Sequence, residues 1–208
     1  MLLHPYLKET RHMKFHPKLS IILIILLLSL FCKADTFTVT TNADSGPGSL
    51  REAILDAAAN GSSTTDYIVF NIADVTRAGR TILLNTALPD LSSDLIIDGT
   101  SQPGAAFGIS DAKIQIEMIG YDPIYRGLGG DNLSDISIFG LYIKGQGSSG
   151  VGLYFGRIKN LQFGQPGKGN LVTGFNIAFY SDNFNQNLDR AENLSFQGNM
   201  MGLDESGT

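Results

Sequence analysis

The sequence predicts an all-β fold of the stacked kind, a parallel β-helix entered through one amphipathic helix. Three observations carry this. Short apolar runs bounded by Gly, Asn, Asp or Ser recur from Asp66 to the end of the chain. A small unit (polar, apolar, any, apolar, then Gly) returns at Asp94 (DLIIDG), Asp135 (DISIFG), Asn160 (NLQFG) and Asn193 (NLSFQG). One stretch, SGPGSLREAILDAAANG, has helical spacing and stands apart from the rest. The repeat spacings of 41, 25 and 33 residues lie in the range of solenoid repeats. A β-sandwich also has short, near-regular strands. The Asn or Asp at a fixed point of the unit favours the coil, because stacking places like polar side chains above one another and apolar ones inside.

Taken in order, residues 1–34 read as an export signal. Basic residues precede an apolar run from Leu19 to Phe31, and Cys32 and Ala34 are placed for cleavage before Asp35. Thirteen residues are short of the roughly 20 a membrane-spanning helix needs. Met13-Lys14 reads as the better start. Cleavage would remove Cys32 and all three histidines (His4, His12, His16), leaving no thiol and no imidazole for catalysis or metal binding.

Residues 35–65 form an entry segment. TFTVTT (Thr36 to Thr41) alternates like a strand, with Phe37 and Val39 on one face. In the helix that follows, Ser49 is the N-cap and Glu52, three residues on, completes a capping box. Leu50, Ala53, Ile54, Ala57 and Ala58 make one apolar stripe, and Asn60-Gly61 supplies a left-handed stop. A parallel coil leaves unpaired backbone groups and exposed apolar stacks at its ends, so solenoids carry atypical terminal caps. The helix is expected to cover the N-terminal end. Residues 66–208 are the coils, expected to continue in further downstream rungs or an anchoring domain, since GNMMGLDESGT reads as a rung followed by a turn. A chain left with that end open is expected to self-associate through it.

Two stretches resemble a known family. GSLREAILDA (Gly48 to Ala57) is similar to the SLREAI motif of secreted bacterial right-handed parallel β-helix proteins. ALPDLSSDLIIDGTSQPG (Ala87 to Gly104) resembles the strand and turn that follow it there, and FGQPGKGNLVTGF and GNMMGLDESGT look like its rung units. The family's usual Cys before SLREAI is Gly48 here. The resemblance implies a large exported scaffold at the cell surface or beyond, more than it implies a reaction.

Charge and composition narrow the partners. The formal net charge is −5, and from Asp35 onward ten basic side chains face nineteen acidic ones, a balance of −9. Such a surface repels phosphate backbones, so nucleic acid is not an expected partner. Arg157-Ile158-Lys159 matches the triplet with which polygalacturonases hold a uronate, but the Asn-Thr-Asp, Asp-Asp and Gly-His-Gly sets that accompany it there do not occur. Glycoside hydrolysis normally uses two carboxyl groups facing one groove. Asp94, Asp98, Asp131 and Asp135 come nearest, yet Asp94 and Asp135 sit at the repeat's polar position and read as ladder or turn residues. GGDNLSD (Gly129 to Asp135) is an oxygen-rich turn with at most weak affinity for Ca²⁺, lacking the spacing of a defined calcium loop. No cofactor is expected. IGYDPIYRG breaks the coil texture and offers Tyr121, Tyr125 and Arg126 as glycan-stacking candidates. The function expected is an exported scaffold for adhesion or glycan contact without catalysis. The alternative is a polysaccharide lyase or glycoside hydrolase with its active groove beyond residue 208.

Overall fold

A computed structural model describes residues 33–119, 126–147, 150–181 and 191–208. Residues 1–32 of the signal-like segment, Tyr121 and Tyr125 therefore lie outside the described residues. The rest is nearly all parallel β-structure, wound into a solenoid of about five coils with one short α-helix. Strand β1 (Thr36–Val39) leads through α1 (Leu50–Asn60) to β2 (Asp66–Phe70), its parallel neighbour. The coils then run through β3 (Thr81–Leu84), β4 (Leu95–Asp98), β5 (Ile114–Met118), β6 (Arg126–Gly130) and β7 (Leu133–Phe139). They continue with β8 (Leu141–Lys144), β9 (Val151–Phe155), β10 (Ile158–Phe163), β11 (Leu171–Thr173), β12 (Ile177–Ser181), β13 (Glu192–Phe196) and β14 (Met200–Met201).

The strands fall into three parallel sheets. Sheet A stacks β1-β2-β4-β7-β10-β13, sheet B β3-β5-β8-β11-β14, and sheet C β6-β9-β12. From β4 onward each coil visits A, then B, then C. The register places like residues above one another. Ile68, Ile97, Ile138, Phe163 and Phe196 form one inward column of sheet A, and Ile82, Ile116, Ile143, Val172 and Met201 one of sheet B. Leu128, Leu153 and Phe179 do the same in sheet C. These columns are the core, and they explain why the apolar runs alternate yet recur at irregular chain spacings: only the turns differ in length.

The helix starts at the Ser49 cap its sequence specifies, but Glu52 reaches one residue past the N-cap N–H of a capping box, which donates instead to the Gly46 carbonyl. The Ser49 hydroxyl accepts from the Glu52 N–H at 3.2 Å, and the Glu52 carboxylate accepts from the Gly48 N–H at 2.9 Å. Leu50, Ala53, Ile54 and Ala57 are buried in the core, where α1 packs on β1 and β2. Ala58 is exposed, so the buried stripe is one residue narrower than its spacing predicts. Gly61 has φ +90°, the positive φ expected of a glycine stop, but its ψ of −178° differs from that of a left-handed helical cap. Asn60 holds that end by donating to the buried Asp66 carboxylate at 2.8 Å. Gly48 sits at φ +78°, and a Cβ there would meet the Thr40 hydroxyl at 2.3 Å, so a side chain at this position is disfavoured twice.

IDGTSQPG is also structural. The Asp98 carboxylate caps a short 3-10 turn (Gly99–Ser101) by accepting from the Thr100 N–H at 2.9 Å. The buried Gln102 amide accepts from the Ile72 N–H and donates to the Ile72 carbonyl, closing the end of β2. The loop beyond folds over the outside of sheet B, where Phe107, Ala112, Tyr142 and Leu171 make a second small core. Arg77 and Arg80 lie against the Phe107 ring at 4.9 and 4.6 Å.

Candidate functional site

The outer surface of the three sheets is where this fold can meet a ligand. The four repeat positions, Asp94, Asp135, Asn160 and Asn193, all adopt left-handed backbone, with φ between 54° and 59°. Asn and Asp are the non-glycine residues that tolerate this best. Three of them join side chain to side chain: Asn193 donates to Asn160, and Asn160 to Asp135, each at 2.8 Å. The repeated polar residue is thus a ladder at the corner entering sheet A. Asp94 ends it without a donor to offer. Its partial burial, and then the Asp135 charge, push its carboxyl above the ordinary value.

A second ladder, which the residue pattern did not reveal, runs inside the corner between sheets A and B. Asn170 is fully buried. Its amide oxygen accepts from the Leu141 N–H at 3.0 Å, and its amide nitrogen donates to the Ile138 carbonyl at 2.9 Å and to Asn199 at 3.0 Å. Asn199 donates in turn to the Phe163 carbonyl at 2.6 Å. The shared signal was Gly-Asn before an apolar pair (GNLV, GNMM).

Among the glycan candidates, Arg126 opens sheet C. Its guanidinium carbon lies 3.7 Å from the Tyr154 ring centre, and Tyr154 stacks on Tyr180 at 5.7 Å with 17° between the planes. Its aromatic partner is thus found one coil away. Tyr154 has Arg126 of the preceding coil and Tyr180 of the following coil against its ring. Of Arg157-Ile158-Lys159, Ile158 is buried and Lys159 forms an exposed ion pair with Glu192 at 3.4 Å. Among the described residues no group of three carboxylates or other ligand side chains is placed to hold a metal ion.

The outside of sheet B carries a more complete site, an open groove of about 730 Å³. Strands β3, β5 and β8 form its floor with Leu83, Gln115, Glu117 and Lys144, and the loop before α1 forms a wall with Asn42 and Asp44. Each charge has an opposite partner: Lys144 with Glu117 at 3.1 Å, Arg77 with Glu205 at 2.6 Å, and Asp44 with Arg51 at 2.6 Å. Burial alone would raise the Asp44 carboxyl, but donation from Arg51 and Asn85 outweighs it and holds the group below its ordinary value. Gln115 donates to Glu117 at 2.7 Å and accepts from Arg77 at 3.0 Å. Asn42 ties the wall to the floor by donating to the Ala78 and Thr81 carbonyls. Arg51 also donates to the Thr86 and Ala87 carbonyls, so the Arg of SLREAI fastens the loop after β3 to the helix. Leu83 stands 45% exposed in this polar setting.

The arrangement offers fixed amides, hydroxyls and paired charges around one apolar spot. The fold and these surfaces define a parallel β-helix with preformed polar outer faces. No family model matches the chain, and neither does any curated protein sequence.

Proposed function

We propose that the protein is an exported β-helix scaffold that contacts glycans on its outer faces without cleaving them. The observation that carries this reading is the sheet-B groove. Its volume is within the roughly 300–1,000 Å³ of small-molecule sites, and its polar groups are held by one another before any ligand arrives. Sugars need this mixture, with hydrogen-bonding groups for their hydroxyls and an apolar patch such as Leu83 for their C–H face. Acid–base cleavage asks for a carboxyl poised to give up or take a proton. Asp44 is instead held ionised by Arg51, and Glu117 is tied to Lys144. The signal-like N-terminus, and the resemblance of SLREAI and IDGTSQPG to secreted bacterial β-helix proteins, support export.

The test is a glycan array, paired with assays for released reducing ends and unsaturated products. Binding without product is expected, with Leu83→Glu weakening the groove's ligands roughly tenfold. Turnover would overturn the non-catalytic reading, and silence across the array would overturn glycan contact.

A further inference from the structure

The outer face of sheet A carries a different pattern from the groove on sheet B. Its register sets Thr36, Tyr67, Ile96, Ser137, Gln162 and Ser195 in one outward column, one residue from each strand of the sheet. Beside the last three runs the Asp135–Asn160–Asn193 ladder. The ladder and the column from Ile96 to Ser195 line an open groove of about 510 Å³. Tyr67, 40% exposed, stands one strand beyond the Ile96 end of the groove, between Ile96 and Thr36.

We infer that this face is a second glycan site, taking an extended, uncharged polysaccharide laid along the solenoid axis with one sugar per coil from Tyr67 to Ser195. Parallel strands repeat every ~4.8 Å, close to the length of one pyranose in an extended chain. Successive sugars therefore present equivalent hydroxyls to equivalent rungs. Hydroxyl and amide groups donate and accept, as sugar hydroxyls require, while Tyr67 and Ile96 meet the apolar faces of the sugars at the other end. Charge selects within that class. No Lys or Arg lines the groove, Asp135 does, and Asp94 stands one coil away, so a uronate or sulfated chain would be repelled. The backbone of β4, β7 and β10 is paired on both sides, so this face has no strand edge to offer a peptide.

The inference rests on the glycan-contact reading and adds a surface to it. It is tested by calorimetry on the folded protein with cello-, xylo- and manno-oligosaccharides graded in length, and with oligogalacturonides as the charged comparison. Affinity is expected to climb with chain length and level off at about five sugars, one for each rung from Tyr67 to Ser195. Tyr67→Ala and Gln162→Ala should each weaken the longer ligands about tenfold, while Leu83→Glu leaves them unchanged. Affinity independent of length, a preference for oligogalacturonide, or a loss on Leu83→Glu in place of Gln162→Ala would each overturn the inference and leave the sheet-B reading standing. No binding of any oligosaccharide would overturn both.

Discussion

Asn170 is the side chain whose removal tests the packing argument most sharply. It is fully buried, and its amide links three coils: the Leu141 N–H, the Ile138 carbonyl and Asn199. In Asn170→Ala the Leu141 N–H loses its acceptor in a dry corner. Leaving such a donor unpaired costs about 1–3 kcal/mol. The Ile138 carbonyl keeps a bond from the Gly164 N–H, and Asn199 keeps one from the Asn170 backbone, so those two losses are ordinary hydrogen bonds of ~0.5–1.5 kcal/mol each. The expected destabilisation is about 3 kcal/mol, read as a lower urea midpoint at unchanged slope by circular dichroism. Asn170→Asp separates hydrogen bonding from volume. It keeps the acceptor for Leu141 but turns a carboxylate oxygen on the Ile138 carbonyl and the Asn199 oxygen. At neutral pH it should be less stable than Asn170→Ala. The introduced carboxyl is desolvated in the fold, so its folded pKa lies above its unfolded one, and stability should return as pH falls through the folded value. A loss below about 1 kcal/mol in Asn170→Ala, or Asn170→Asp as stable as the parent at neutral pH, would refute the ladder as a source of stability.

Ile54→Asp puts a charge where α1 meets the first coils, at a fully buried position, and should lower stability by several kcal/mol; an unchanged thermal midpoint would show the helix to be dispensable to the core. Asp94→Asn gives the outer ladder the donor it lacks and removes repulsion from Asp135. It should stabilise by about 0.5–1.5 kcal/mol, with the gain shrinking as acid protonates the parent's carboxyl, whose pKa is raised in the fold. Lys168 reaches Asp98 at 2.7 Å. Burial works to raise the Asp98 carboxyl, yet the bonds from Lys168 and Thr100 outweigh it and its pKa is lowered. That stabilisation is present above the unfolded carboxylate pKa and lost as pH falls through the folded one. Lys168→Met should therefore flatten the acid limb of the stability–pH curve, and an identical limb would contradict the pairing.

The alternation of apolar residues, the glycine turns and the polar residue at Asp94, Asp135, Asn160 and Asn193 were enough to specify a stacked parallel coil. These are local signals, and each rung reads the same rules again. Ser49, Leu50 and Ile54 were legible for the same reason, since a cap and its apolar stripe lie within three turns of chain. Ala58 and Gly61 were not, because which side of a stripe is buried and how a helix leaves its last turn depend on what packs against it. The surfaces lay further out of reach. Arg126 sits one residue from Tyr125 in the chain, but its described partner is Tyr154, brought alongside by the register of sheet C. Asn42, Leu83, Glu117 and Lys144 share a groove only because coils of unequal length close on one another. A coil's period is fixed by the strand spacing of the stack and not by residue count. The sequence alone therefore determined what each rung is made of, and the tertiary structure decided which rungs' side chains stand next to each other.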